Sequence, residues 1–86
     1  MRVKKTEAKY KKVIVKWRDA ITDDDKAIAI IDALEMDMPI RESIGYLLKK
    51  DRQKIILAMI YDHEDQEVDG IHIIPRQWAM EINEIK

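Results

Sequence analysis

Ile71-His72-Ile73-Ile74-Pro75-Arg76-Gln77-Trp78, followed directly by Ala79-Met80-Glu81-Ile82, is the stretch whose reading decides the fold. Proline lacks a backbone N–H and has a fixed φ, so Pro75 ends one strand and holds Ile74 extended before it. From Trp78 to Ile82 the period-two alternation of a strand resumes. A strand, one tight helical turn and a last strand is how many small β-barrels close, and this predicts a barrel.

Upstream lies an acidic loop, Asp62 to Gly70, and before it Lys54-Ile55-Ile56-Leu57-Ala58-Met59-Ile60-Tyr61, which is apolar at both odd and even positions. A strand of that kind belongs inside a sheet, with one face toward the barrel interior and the other covered by a helix or a neighbouring subunit. Lys49 to Gln53 form a polar hairpin turn into it from a strand over Ser43 to Leu48. Val13-Ile14-Val15-Lys16-Trp17 is the first strand, rich in β-branched and aromatic residues. Between these two strands the period becomes helical. Thr22 is placed to cap a helix whose first turn carries Asp23, Asp24 and Asp25, Ala27, Ile28, Ile30, Ile31 and Leu34 form its apolar stripe, and Pro39 ends the run. The reading is a mainly-β α+β chain: a five-stranded small barrel with one helix, near 23–36, inserted between the first two strands.

A chain of 86 residues makes one domain, since two pieces would each bury too little surface to stand alone. Residues 1–11 form a basic arm and 12–86 the barrel. The chain is 47% hydrophobic and 38% charged with two Gly and two Pro, which is the composition of an ordered protein. It has no cysteine, which removes disulfides, thiolate metal sites and a cysteine nucleophile. Neither a signal peptide nor a membrane helix is written in it, so a cytoplasmic protein without a membrane partner is expected.

Net charge is −1, yet the charges are sorted along the chain. Residues 2–18 are basic, 19–42 are acidic, and a second acidic cluster precedes Gly70. Faces of opposite sign suit contact between copies as well as with a partner.

Catalytic signatures are missing. There is no Gly-rich phosphate loop, zinc-binding His-Glu motif or serine elbow, and His72 has no Ser or Asp partner close in sequence, so no enzyme is expected. His63 with Asp62, Glu64 and Asp65 invites a metal, but consecutive residues on an extended chain point to opposite sides, and such a run reads as a solvated turn. No metal and no cofactor are expected.

Four short patterns occur in order: Val15-Lys16-Trp17-Arg18-Asp19, Ser43 to Leu47, Ile56 to Ala58, and Ile73 to Trp78. In this order the chain resembles a group of small phage and prophage accessory proteins over about residues 12–82. Its closing segment is also similar to Sm-type and Src-homology small barrels. The resemblance implies an accessory gene product acting in the cytoplasm of an infected or lysogenic bacterial host, in a class that includes inhibitors of bacterial immunity.

Binding is therefore the expected role. Trp17 and Trp78, flanked by Arg18 and Arg76, offer aromatic faces for a planar base and guanidinium forks for phosphate. With Tyr46 and His72 they are the candidate ligand residues, for a homo-oligomer that sequesters a nucleotide-derived ligand such as a bacterial immune second messenger. Two alternatives stand beside this. One is nucleic-acid binding through Lys4, Lys5, Lys9, Lys11, Lys12 and Lys16; the other is docking on a host enzyme through the acidic loop or helix.

Overall fold

In a computed structural model of the chain, which describes residues 10–20, 22 and 26–86, one antiparallel sheet carries the fold. Its strands are β1 (Lys12–Arg18), β2 (Ile40–Lys50), β3 (Lys54–Asp62), β4 (Glu67–Pro75) and β5 (Ala79–Glu84). A short helix, α1 (Ile30–Leu34), lies between β1 and β2, and a 3₁₀ turn (Arg76–Trp78) joins β4 to β5. The order across the sheet is β4-β3-β2-β1-β5.

That order forces curvature. β4 and β5 sit at opposite edges, about 19 Å apart in a flat five-stranded sheet, yet only Arg76, Gln77 and Trp78 connect them, a link that spans at most about 14 Å fully extended. The edges are therefore drawn together at the Pro75 end. The Arg76 N–H pins this link to the β2–β3 hairpin by donating to the Gln53 carbonyl at 2.9 Å.

The expected barrel is not closed. β4 and β5 share no ladder, and both remain sheet edges. Pro75, the last residue of β4, has no N–H to offer a strand beside it, so the ladder that would complete the ring has no starting donor.

Alternation sorts the side chains into two faces. Val13, Val15, Ile55, Leu57 and Ile74 form the buried core on the concave side, with Trp17, Leu47, Ala79 and Ile82 packed against it. Register holds the set together: Val13 stands opposite Gly45, Val15 opposite Ile82, and Ile55 opposite Ile74. The intervening residues point outward, so Ile44, Ile60, Ile71 and Ile73 are exposed on the convex side.

The helix is shorter than its stripe predicts. It covers Ile30–Leu34 in place of 23–36, and none of its residues is buried. The capping cluster Asp23–Asp25 lies outside the described residues. A single turn of helix is unstable without a surface to cover, and the apolar stripe rests on none, so the expected helical cover of β3 is absent. The acidic loop is also shorter: the turn is confined to residues 63–66 and Glu67 already pairs with Asp62 in β3–β4.

At the β2–β3 turn, the Asp51 carboxylate accepts the N–H groups of Lys54 at 2.9 Å and Gln53 at 2.8 Å, and Lys49 lies 3.4 Å from it. The backbone donors of Lys54 and Gln53, then the Lys49 ammonium, hold its pKa below the ordinary 3.8. A carboxyl whose folded pKa is depressed contributes stability that is fully present above 3.8 and is lost as pH falls through the lower folded value. Asp51→Ala is therefore expected to lower the melting temperature at neutral pH, with the gap to the parent closing on acidification below 3.8. Melting curves across that range check it; a gap independent of pH refutes the role given to the ionised form.

Candidate functional site

The concave face gathers residues from four parts of the chain. Trp17, on the inner row of β1, donates its indole Nε1–H to Ser43 Oγ on β2 at 2.9 Å. Two strands separate β1 from β4 in the sheet, yet the Trp17 ring meets His72 of β4 edge-on at 5.4 Å. Curvature of the sheet makes this contact. On its other side Trp17 stacks with Trp78 of the 3₁₀ turn, centroids 6.4 Å apart and planes within 14°.

Beside this cluster is a cavity of about 300 Å³ along the inner row of Ser43, Leu57, Met59 and His72; it is bordered also by Ile44, whose side chain alternation turns to the convex side. Its walls are mostly apolar, with one hydroxyl and one imidazole to orient a guest, the usual make-up of a small-molecule pocket near the lower end of the size range. Met59 is largely exposed and forms a soft thioether wall. It has room because Gly70 faces it: a Cβ at Gly70 would sit 2.9 Å from the Met59 Cβ, and Gly70 adopts φ +65°, which a side chain would strain.

Charge reaches the same face through Arg41. It is the register partner of Trp17 and lies two residues from Ser43 on β2, so alternation places the three on one side. Its Nε is 3.5 Å from Asp19 Oδ2, and Asp19 in turn donates its N–H to the Pro39 carbonyl at 2.9 Å. The guanidinium is thus paired with Asp19 on the concave face and is still half exposed.

Of the six ligand residues expected from the sequence, Trp17, His72 and Trp78 come together. Arg18 follows Trp17 on β1 and alternation turns it to the convex side, where it is exposed. Arg76 shares the 3₁₀ turn with Trp78. Tyr46 belongs to a second aromatic group, edge-on to Tyr61 at 5.5 Å; Tyr61 also meets Tyr10 at 5.4 Å and stacks on His63 at 4.3 Å. Ser43, Met59 and Arg41 were not singled out from sequence. The alternation Arg41-x-Ser43-x-Gly45 opposite Trp17-x-Val15-x-Val13 carries the signal, but it is readable only once the β1–β2 register is known.

The turn at His63 has its own occupation. Asp62 Oδ1 accepts the N–H groups of Glu64 at 3.0 Å and Asp65 at 3.2 Å, while Gln66 donates to the His63 carbonyl at 2.7 Å. Among the described residues no three His, Asp or Glu side chains converge as a metal ion would require.

Lys4, Lys5 and Lys9 lie outside the described residues. The basic residues of β1 do not form an unbroken track for phosphates: Lys16 stands between Glu42 of β2 and Glu81 of β5, and Lys11 lies 3.9 Å from Glu84. Among the described residues no helix is long and apolar enough to cross a membrane.

The chain matches no known protein family, no curated protein and no solved structure.

Proposed function

We propose that the protein is a non-enzymatic binding protein that takes a nucleotide-derived ligand on its concave face and holds it as a homo-oligomer. The observation that carries this reading is the cavity of about 300 Å³ beside the Trp17–His72 contact, with Arg41 on the same face two residues along β2 from Ser43. Such a volume admits one planar ring. In this reading the ring sits against His72 and Met59 with Ser43 as its polar contact, and the phosphate stays outside, within reach of the guanidinium. The Trp17–Trp78 pair backs the site and does not clasp the ring, because stacked rings 6.4 Å apart already satisfy each other. A dinucleotide, with two bases, then needs a cavity from each of two copies, which ties the ligand class to self-association.

Sequestration in place of turnover is supported by the bonding of Ser43, whose Oγ accepts the Trp17 Nε1–H and, among the described residues, makes no hydrogen bond to His72. The pattern shared with phage accessory proteins adds a setting: capture of a signalling nucleotide inside an infected bacterium.

Calorimetric titration of the full chain with cyclic dinucleotides and ADP-ribose derivatives tests the reading. Heat of binding with at least one member is expected, quenched tryptophan fluorescence should accompany it, and His72→Ala and Arg41→Ala should each weaken affinity about tenfold or more, in line with the strength of base stacking and charged hydrogen bonds. A folded protein that gives no heat with any member overturns the ligand assignment.

A further inference from the structure

Two apolar surfaces of this chain lie bare. The first is the segment around α1, where Ile30 and Leu34 are 80% exposed, Ile31 is 68% exposed, and Ile28, Met36 and Met38 are also exposed. The second is the convex side of the sheet, where register joins Ile14 to Ile44, Ala58 to Ile71 and Ile56 to Ile73 across four strands. Ile44 is 62% exposed, and Ile60, Ile71 and Ile73 are each at least half exposed. Sixteen large hydrophobic side chains are exposed among the described residues, against five in the buried core cluster, a ratio that a lone soluble domain does not sustain.

We infer that the α1 segment of one copy covers the convex sheet face of a second copy, and that the second copy returns the same contact. The inference deepens the self-association in the proposed function and does not depend on its ligand. Shape supports it: Ile30, Ile31 and Leu34 recur at helical spacing, and a helix stripe packs on the apolar outer face of an isoleucine sheet.

Charge complementarity is local. Residues 19–39 carry seven acidic side chains against one lysine. The convex face carries both signs: Asp69 lies opposite Ile60, Glu67 opposite Asp62, and Lys16 stands between Glu42 and Glu81, whereas Lys12, Arg18 and Lys54 lie opposite Tyr46, Ile40 and Pro75. Lys12 shares one cross-strand row with Tyr46, Ala58 and Ile71, and is the cation beside the patch that an acidic segment would meet.

Area reaches the needed range. A fully exposed Leu or Ile side chain offers about 60–120 Å² to bury. Six residues of the segment and four of the sheet, a little over half exposed and counted on both copies, bring about 700–1,400 Å² out of water, a range that spans the roughly 1,000 Å² of a specific interface.

The neck of the segment directs it outward. The Asp19 N–H bonds the Pro39 carbonyl at 2.9 Å, continuing the β1–β2 ladder past its last pair, Arg18 and Ile40, and Pro39 holds Met38 extended. The chain thus leaves along the strand direction, and no α1 residue is buried on its own sheet. A reciprocal contact between two copies closes under two-fold symmetry and leaves no open end.

Sedimentation velocity of the full chain is expected to give a dimer, and Leu34→Asp or Ile71→Lys a folded monomer, with the dissociation constant raised at least tenfold. Both positions are exposed in a single copy, so the fold survives, as circular dichroism checks. Mixing the two variants is the decisive step, since one intact segment then meets one intact sheet face and a heterodimer should reappear. Because the chain has no cysteine, Leu34→Cys and Ile44→Cys placed on separate copies should join as an intermolecular disulfide. A monomeric parent, a dimer indifferent to Leu34→Asp, or a Leu34→Cys/Ile44→Cys double variant that crosslinks within one chain at low concentration overturns the inference. Each of these leaves the calorimetric result on the ligand standing by itself.

Discussion

Gly45→Val is expected to leave no cooperative thermal transition, and Gly45→Ala to lower the melting temperature by about 10–20 °C, the equivalent of roughly 2–3 kcal/mol of overpacking. Gly45 is buried on β2, opposite Val13 of β1. A Cβ there would stand 2.8 Å from the Ala58 carbonyl oxygen and 3.3 Å from its carbonyl carbon. Those are backbone atoms of β3, held by the ladder that pairs Tyr46 with Ala58, so they yield only if strand pairing yields. Gly70→Ala is the informative comparison. The nearest atom it would crowd, the Met59 Cβ at 2.9 Å, is tied to the β3 backbone, so its cost adds this contact to the strain of φ +65°, about 1–2 kcal/mol by itself. Thermal melts followed by circular dichroism decide the matter: Gly45→Ala melting within a few degrees of the parent would mean that β2 and β3 do not approach this closely.

Ile55→Ala and Ile74→Ala carry the second large effect, each expected to cost about 2–5 kcal/mol. Both side chains are 0% exposed and stand opposite each other across β3 and β4. A domain of this size has a total stability of about 4–13 kcal/mol, and the buried cluster here has only five members, so either substitution removes a large share of the driving force. The two residues share one contact region, and the double variant should fall short of the sum of the singles by about 0.5–3 kcal/mol. Ile71→Ala, three positions before Ile74 on β4 and on the convex face, should cost little in a dilute, dissociated sample. Urea unfolding of the four proteins checks the set; equal costs at Ile71 and Ile74 would contradict the assignment of faces.

Much of the sheet was legible because strands announce themselves by alternation. Val13-Ile14-Val15, the two-sided run Lys54 to Tyr61, and the Pro75 break each constrain the backbone locally, and each appears close to where its pattern places it. The helix was less legible. Its stripe from Ala27 to Leu34 is a correct statement of helical periodicity, but periodicity describes a face in search of a surface, and a single chain does not supply one. The site was half legible. From sequence, Trp17, Arg18, His72 and Trp78 were grouped; the folded sheet brings Trp17, His72 and Trp78 together, and alternation turns Arg18 to the opposite face from Trp17.

Sequence alone determined the five extended segments, the turn residues between them, the acidic and basic blocks and the want of the common catalytic motifs, since all of these are local properties of side-chain type and order. Tertiary structure decided what lies beside what. Register set Arg41, Ser43 and Gly45 against Trp17, Val15 and Val13, and a three-residue link between opposite edges bent the sheet until Trp17 met His72. Ring closure failed at Pro75, which has no N–H to give. These outcomes depend on pairings between residues far apart in the chain, whose geometry follows from hydrogen-bond register and sheet curvature and is not encoded at any single position.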